Sequence, residues 1–181
     1  FLTEQTVRQE AKSLHRWQKS VSWWEKYGAW VVAVIFYIVI VTLISRQYTT
    51  FNHRAADLDR FLQAMWNTYN GRFMYSTISD RSVLSGHFTP MFLLISPLQF
   101  IWNDPRVYSL FQSAGFIAAG LILHRLVAKK HPGLAIWFML AFFLNPIVNR
   151  VALLELRRIT LALPFLMLAL YGLAEKQRRL M

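Results

Sequence analysis

The sequence predicts an all-α integral membrane protein with about four transmembrane helices and additional amphipathic interfacial helices. Three observations carry this fold class: depletion of charge, long uncharged apolar runs, and a one-sided distribution of lysine. Of the 181 residues, 55% are hydrophobic and only 16% are charged, against about 25% charged in an ordinary soluble domain. Uncharged runs of 16 to 19 residues recur along the chain, which suits hydrocarbon rather than water. The net charge is +11. The basic residues flank the apolar runs and form no stripe, so they fit membrane orientation and argue against nucleic acid as a partner. Cysteine is absent, which excludes disulfides, thiolate metal sites and thiol catalysis.

Residues 1–26 read as a first unit, a basic amphipathic helix. Leu14, Trp17, Val21 and Trp24 follow helical spacing, and Arg8, Lys12, Arg16, Lys19 and Lys26 supply positive charge. Such a helix suits the membrane surface, with tryptophans at headgroup depth, and suits docking on a partner subunit equally well. A polar, basic stretch ahead of the first apolar run is not the order of a signal peptide.

Residues 27–181 read as the membrane domain. The first span, 27–45, has 19 uncharged residues, a rise of about 28 Å at 1.5 Å each. A loop over 46–106 follows, polar to residue 87 and then apolar but short, with Pro97 inside it. The second span is 107–123, where Gly115 and Gly120 permit close helix approach. The third is 133–148, bent or ended near Pro146, and the fourth is 159–174, kinked near Pro164.

Lysine placement decides whether residues 88–104 cross the membrane. If they do not, Lys12, Lys19, Lys26, Lys129, Lys130 and Lys176 all fall on one side, the cytoplasmic one, together with the N-terminus. If they do cross, Lys129 and Lys130 move outside. Residues 88–104 therefore read as an interfacial or re-entrant helix on the extracytoplasmic face.

Within the loop, Leu58, Phe61, Leu62, Met65, Trp66 and Tyr69 recur at helical spacing, with Asp59, Gln63 and Asn67 opposite. This predicts a helix lying along the outer surface, apolar side toward lipid. Asp57 and Asp59 suit the first turn through the helix dipole. A carboxylate at a water–lipid boundary can equally act as a general base or hold a metal if a substrate reaches it. No metalloprotease, phosphate-loop, dinucleotide or nucleophile-elbow motif accompanies it.

Four stretches in order, "ADLDRFLQAMWNTYNGRFMYST", "SGHFTPMFLLISPLQFIW", "LVAKKHPGLAIWFMLAFFLNP" and "LELRRITLALPFLMLALYGL", resemble a bacterial family of multi-spanning membrane proteins of unassigned activity. That family is grouped with the GT-C glycosyltransferases, and the resemblance covers roughly residues 54–175. It implies a multi-pass protein of the bacterial cytoplasmic membrane that takes a sugar from a polyprenyl-phosphate donor on the extracytoplasmic face. It also implies that Asp57 is the general base, or in some branches a ligand for a divalent metal. Gln63, Trp66 and Asn67 match the pattern after that aspartate, and His87 matches a His-Phe-x-Pro element. A lipid-phosphate donor needs cations at headgroup depth, and Arg60, His87, Arg157 and Arg158 are the candidates. The arginines suit pairing with membrane lipids equally well, and His87 suits a backbone bond at a helix start.

Two departures qualify the resemblance. Where the family carries an aromatic-His-Pro-Glu element, this chain has Leu156-Arg157-Arg158-Ile159, with Glu155 as the nearby acid. The family's proteins are also longer, so the match is to their N-terminal portion. The alternative function is therefore a non-catalytic subunit of a larger membrane complex. A transporter is disfavoured by the near absence of charge and of paired broken segments in the spans.

Overall fold

A computed structural model describes the backbone of all residues except 1–3, 51, 53–55, 87–90, 154–155, 157 and 181; side chains of 4–26, 56–57, 86, 158–159 and 177–180 are also left undescribed. The described chain is helical apart from one two-stranded hairpin. Four helical segments run along one another: α1 (Glu4–Thr49), α6 (Arg106–Ala128), the pair α7 (Pro132–Leu144) and α8 (Pro146–Ala152), and α10 (Leu163–Leu180). Between α1 and α6 lie α2 (Ala56–Tyr69), β1 (Tyr75–Ser76), β2 (Arg81–Ser82), α3 (Val83–Gly86), α4 (Met91–Ile95) and α5 (Leu98–Ile101); α9 (Arg158–Leu161) precedes α10.

Side-chain partners set the direction of each helix. The Tyr37 hydroxyl reaches the Leu110 carbonyl at 3.5 Å. Ala29 and Ala33 pack with Ile117, while Tyr48 packs beside Tyr108, so α1 and α6 are antiparallel. A Cβ built on Gly28 would lie 3.5 Å from Ile136, and Phe36 stacks on Phe143 at 4.7 Å. Hence α7 runs with α1. Gly115 faces Pro164, with 3.6 Å to an added Cβ, and Lys129 pairs with Glu175, so α10 runs with α6. One end of the bundle therefore gathers Tyr27, the α6–α7 turn with Lys129 and Lys130, and Lys176. The other end gathers the end of α1, everything from α2 to α5, and α9.

Two helices, Tyr27–Thr49 within α1 and Arg106–Ala128, are long and apolar enough to cross a membrane, or three if the bent pair α7–α8 counts as one span. The pair bends by 59°. Pro146 has no N–H to continue α7, and the Asn145 side chain caps α8 by accepting from Ile147 N at 2.9 Å. The fourth span expected at 159–174 is divided instead. The chain turns at Ala162, Pro164 sits in the first turn of α10, and the apolar part of α10 ends before Glu175. Those twelve residues, Leu163–Ala174, rise about 18 Å, short of a hydrocarbon core of roughly 30 Å.

The backbone of α1 continues as one 46-residue helix through the boundary expected at residue 26. The side chains Leu14, Trp17, Val21 and Trp24 lie outside the described residues.

Candidate functional site

The lysine-free end is organised around α2. Leu58, Phe61 and Met65 are buried in a cluster with Met74, Phe92, Ile95, Tyr108, Leu156 and Leu161, and the Phe61 and Phe92 rings stack at 4.0 Å. The apolar side of α2 therefore lies on protein, against α4 and the first turns of α6. This corrects the expectation that it rests on lipid. Residues 91–95 supply the cover, a long-range contact that helical spacing alone does not reveal. Trp66 and Tyr69 stay exposed, at 57% and 45%.

The polar side of α2 holds the hairpin. Gln63 Oε1 accepts from Ser76 Oγ and from Thr77 N, both at 3.1 Å, while its Nε2 donates to the Thr77 hydroxyl. Asn67, expected on the solvent side, is buried and donates to the Tyr75 carbonyl at 2.8 Å. Thr68 donates to Ala64 O at 2.7 Å and accepts from Met74 N at 2.8 Å. Gly71 takes φ 82°, which an asparagine–glycine turn accommodates readily. Across the hairpin, Tyr75 donates to Asp80, and this bond to the carboxylate holds the Tyr75 hydroxyl above its ordinary pKa.

The residues expected to handle a substrate are placed as follows. Asp57 lies in the first turn of α2 by its backbone, with its side chain outside the described residues. Arg60 is one turn on. Its Nε is buried and has no hydrogen-bond partner among the described residues. Gln63 is engaged with the hairpin. His87 and Arg157 lie outside the described residues, and Arg158 is placed only by its backbone at the start of α9. Leu156 and Leu161, on either side of the two arginines in sequence, pack in the cluster with Leu58 and Phe61. No group of three or more His, Asp or Glu side chains gathers among the described residues, so the described part offers no preformed metal centre.

Two polar clusters at this end were not anticipated from the sequence. Gln112, 1% exposed, donates to Val151 O at 3.4 Å and accepts from Thr160 Oγ1 at 2.5 Å. It thereby ties the end of α8 and the start of α9 to α6. The signal for it was present: a carboxamide inside an otherwise apolar run needs internal partners. Beyond the start of α6, Asp104 accepts from Arg106 through both carboxylate oxygens, at 2.9 Å from Nε and 2.5 Å from one terminal nitrogen. Hydrogen bonding to the guanidinium holds the Asp104 carboxyl below its ordinary pKa. The same guanidinium lies 5.3 Å over the Trp102 ring.

Uncharged helices of membrane-crossing length, packed through small and aromatic residues and exposing large apolar side chains outward, define an α-helical integral membrane protein. Comparison with known families makes this specific. Residues 47–181 match a family described as "Predicted membrane protein (DUF2079)", and the chain belongs to that family. Its description assigns no activity and gives no link to the GT-C enzymes. No curated protein matches the chain, and no solved structure matches it.

Proposed function

We propose that this chain is a GT-C-like membrane glycosyltransferase, or the N-terminal portion of one. It would use a lipid-phosphate-linked sugar donor on the extracytoplasmic face of a bacterial cytoplasmic membrane. The lysine-rich end of the bundle, with the N-terminus, is then cytoplasmic, in keeping with the positive-inside rule. The head of α2 stands at the opposite end, where a donor's phosphate would lie at headgroup depth.

The observation that carries this reading is the buried Nε of Arg60, unpartnered among the described residues and one helical turn from Asp57. A guanidinium donor shielded from water calls for an anionic acceptor, and phosphate fits its fork. Arg157 and Arg158 lie in sequence between Leu156 and Leu161, which pack with α2, and His87 follows α3 in sequence. These groups would stabilise charge on the departing phosphate, while Asp57 would take a proton from the acceptor. Gln63 contributes by holding the hairpin against α2, since its carboxamide is engaged there.

The test is sugar transfer by the protein in proteoliposomes supplied with a panel of polyprenyl-phosphate-linked sugars. Asp57→Asn is expected to abolish transfer while leaving insertion and thermal stability unchanged. Full activity in that variant removes Asp57 from the proposed role. The second reading, an accessory subunit of a larger membrane complex, draws support from the internal engagement of Gln63 and Asn67, which match the family's site pattern yet serve packing. An inactive wild type that purifies tightly bound to other membrane subunits would favour it.

A further inference from the structure

The segment from α4 to α5 is too short to cross a membrane, yet it presents some of the most exposed large apolar side chains in the described structure. Leu94 is 75% exposed, Phe100 71% and Ile101 80%. From Met91 to Asn103 there is no charged residue. The opposite side of the segment is firmly seated, with Phe92 and Ile95 in the buried cluster.

Two polar contacts tie it to α6 and α2. The Tyr108 hydroxyl donates to the Ser96 carbonyl at 3.3 Å, so the bend between α4 and α5 is held to the first turn of α6. Ser96 Oγ donates to Leu93 O at 2.8 Å and therefore accepts from the Tyr69 hydroxyl, also at 2.8 Å. Tyr69 in turn meets the Phe100 ring edge-on at 4.5 Å. Within α6, Phe111 is also 44% exposed. Just beyond, Trp102 under Arg106 supplies the aromatic–cation pairing typical of the headgroup boundary.

We infer that Leu94, Phe100 and Ile101 insert into the acyl region of the leaflet at the lysine-free end, with Trp102 and Arg106 at its headgroup boundary. The occupant of this face is membrane lipid. Attachment to the first turn of α6, a helix long and apolar enough to cross a membrane, and the uncharged run both select hydrocarbon over water. Because Tyr69 couples the segment to α2, the insertion would also set the height of Asp57 and Arg60 relative to lipid phosphates. The inference stands independently of sugar transfer.

The absence of cysteine in the chain allows it to be labelled at single sites. Leu94→Cys, Ile101→Cys and Asn70→Cys would each carry a nitroxide in vesicles of phosphatidylethanolamine and phosphatidylglycerol. Oxygen, which concentrates in hydrocarbon, should relax the labels at 94 and 101 strongly. A polar nickel chelate should reach them on the order of tenfold less than the label at 70, because hydrocarbon excludes polar solutes. If either label is as open to nickel as that at 70, or is shielded from both relaxants as beneath a protein partner, the inference fails.

Discussion

The Phe143 ring occupies the space in which a side chain on Gly120 would stand: a Cβ there would lie 2.5 Å from Phe143 Cζ. Phe143 cannot swing aside freely, since its other face stacks on Phe36 at 4.7 Å with the planes 13° apart. One glycine thus lets α6 and α7 meet through an aromatic ring that also touches α1, and three helices close around it. Gly120→Ala is expected to cost about 1–3 kcal/mol by overpacking. The readout is a lowered thermal midpoint in detergent. Adding Phe143→Leu should recover part of the loss, so that the two changes are non-additive.

Gln112 joins α6 to α8 and α9. Its carboxamide serves the part-buried Val151 carbonyl of α8 and the buried Thr160 hydroxyl of α9. Gln112→Leu, close in size and unable to hydrogen-bond, should destabilise by about 1–3 kcal/mol, because it leaves buried polar groups without that partner. Thr160→Val should cost less in the Gln112→Leu background than alone. Equal costs in both backgrounds would show that the pair is not coupled.

Gln63 is expected to act as a brace. Gln63→Leu removes its bonds to Ser76, Thr77 and the Thr77 amide, and should loosen the hairpin while leaving the helix bundle intact. Limited trypsin digestion reads this directly, since Arg72 and Arg81 are exposed on either side of the turn. Cleavage there should accelerate in the variant with little change in the global unfolding midpoint.

Two ion pairs predict opposite pH windows. Asp104 has its folded-state pKa depressed by Arg106. Its contribution is therefore present above the ordinary carboxylate pKa of about 4 and is lost as pH falls through the lower folded value. Lys129 has its pKa raised by bonding to Glu175 and Tyr171. Its contribution is present below the ordinary lysine pKa of about 10.4 and is lost as pH rises through the higher folded value. Asp104→Asn should flatten the acid limb of the stability profile, and Lys129→Met the alkaline limb. Between about pH 5 and 9 neither pair should produce a slope.

How far the sequence could be read is clearest from individual elements. The first span was legible because nothing from Tyr27 to Ser45 carries charge, and the bend at Pro146 because proline cannot continue a helix. Gly115 and Gly120 were legible as contact points, and both face side chains of neighbouring helices. The helical spacing of α2 was legible too, but not what covers it: Phe92 and Ile95 arrive from the short helix α4, some thirty residues further along the chain, and no local period encodes that meeting. The hairpin escaped notice because its strands are two residues long, too short for an alternating pattern. For Gln63 and Asn67, residue type matched a family pattern, whereas their partners, Ser76, Thr77 and the Tyr75 carbonyl, follow from the fold alone. Asp57 remains distinguished from Asp59 by resemblance and not by spacing.

If the head of α2 receives a lipid phosphate, as proposed, the reconstituted protein should bind polyprenyl phosphate even where no sugar is transferred. A charge-assisted hydrogen bond to a shielded guanidinium contributes about 1.5–3 kcal/mol, which is roughly a tenfold or greater effect on affinity. Arg60→Gln is expected to weaken polyprenyl-phosphate binding by about that factor while the folded helix content is retained. Unchanged affinity in a folded Arg60→Gln protein would contradict it.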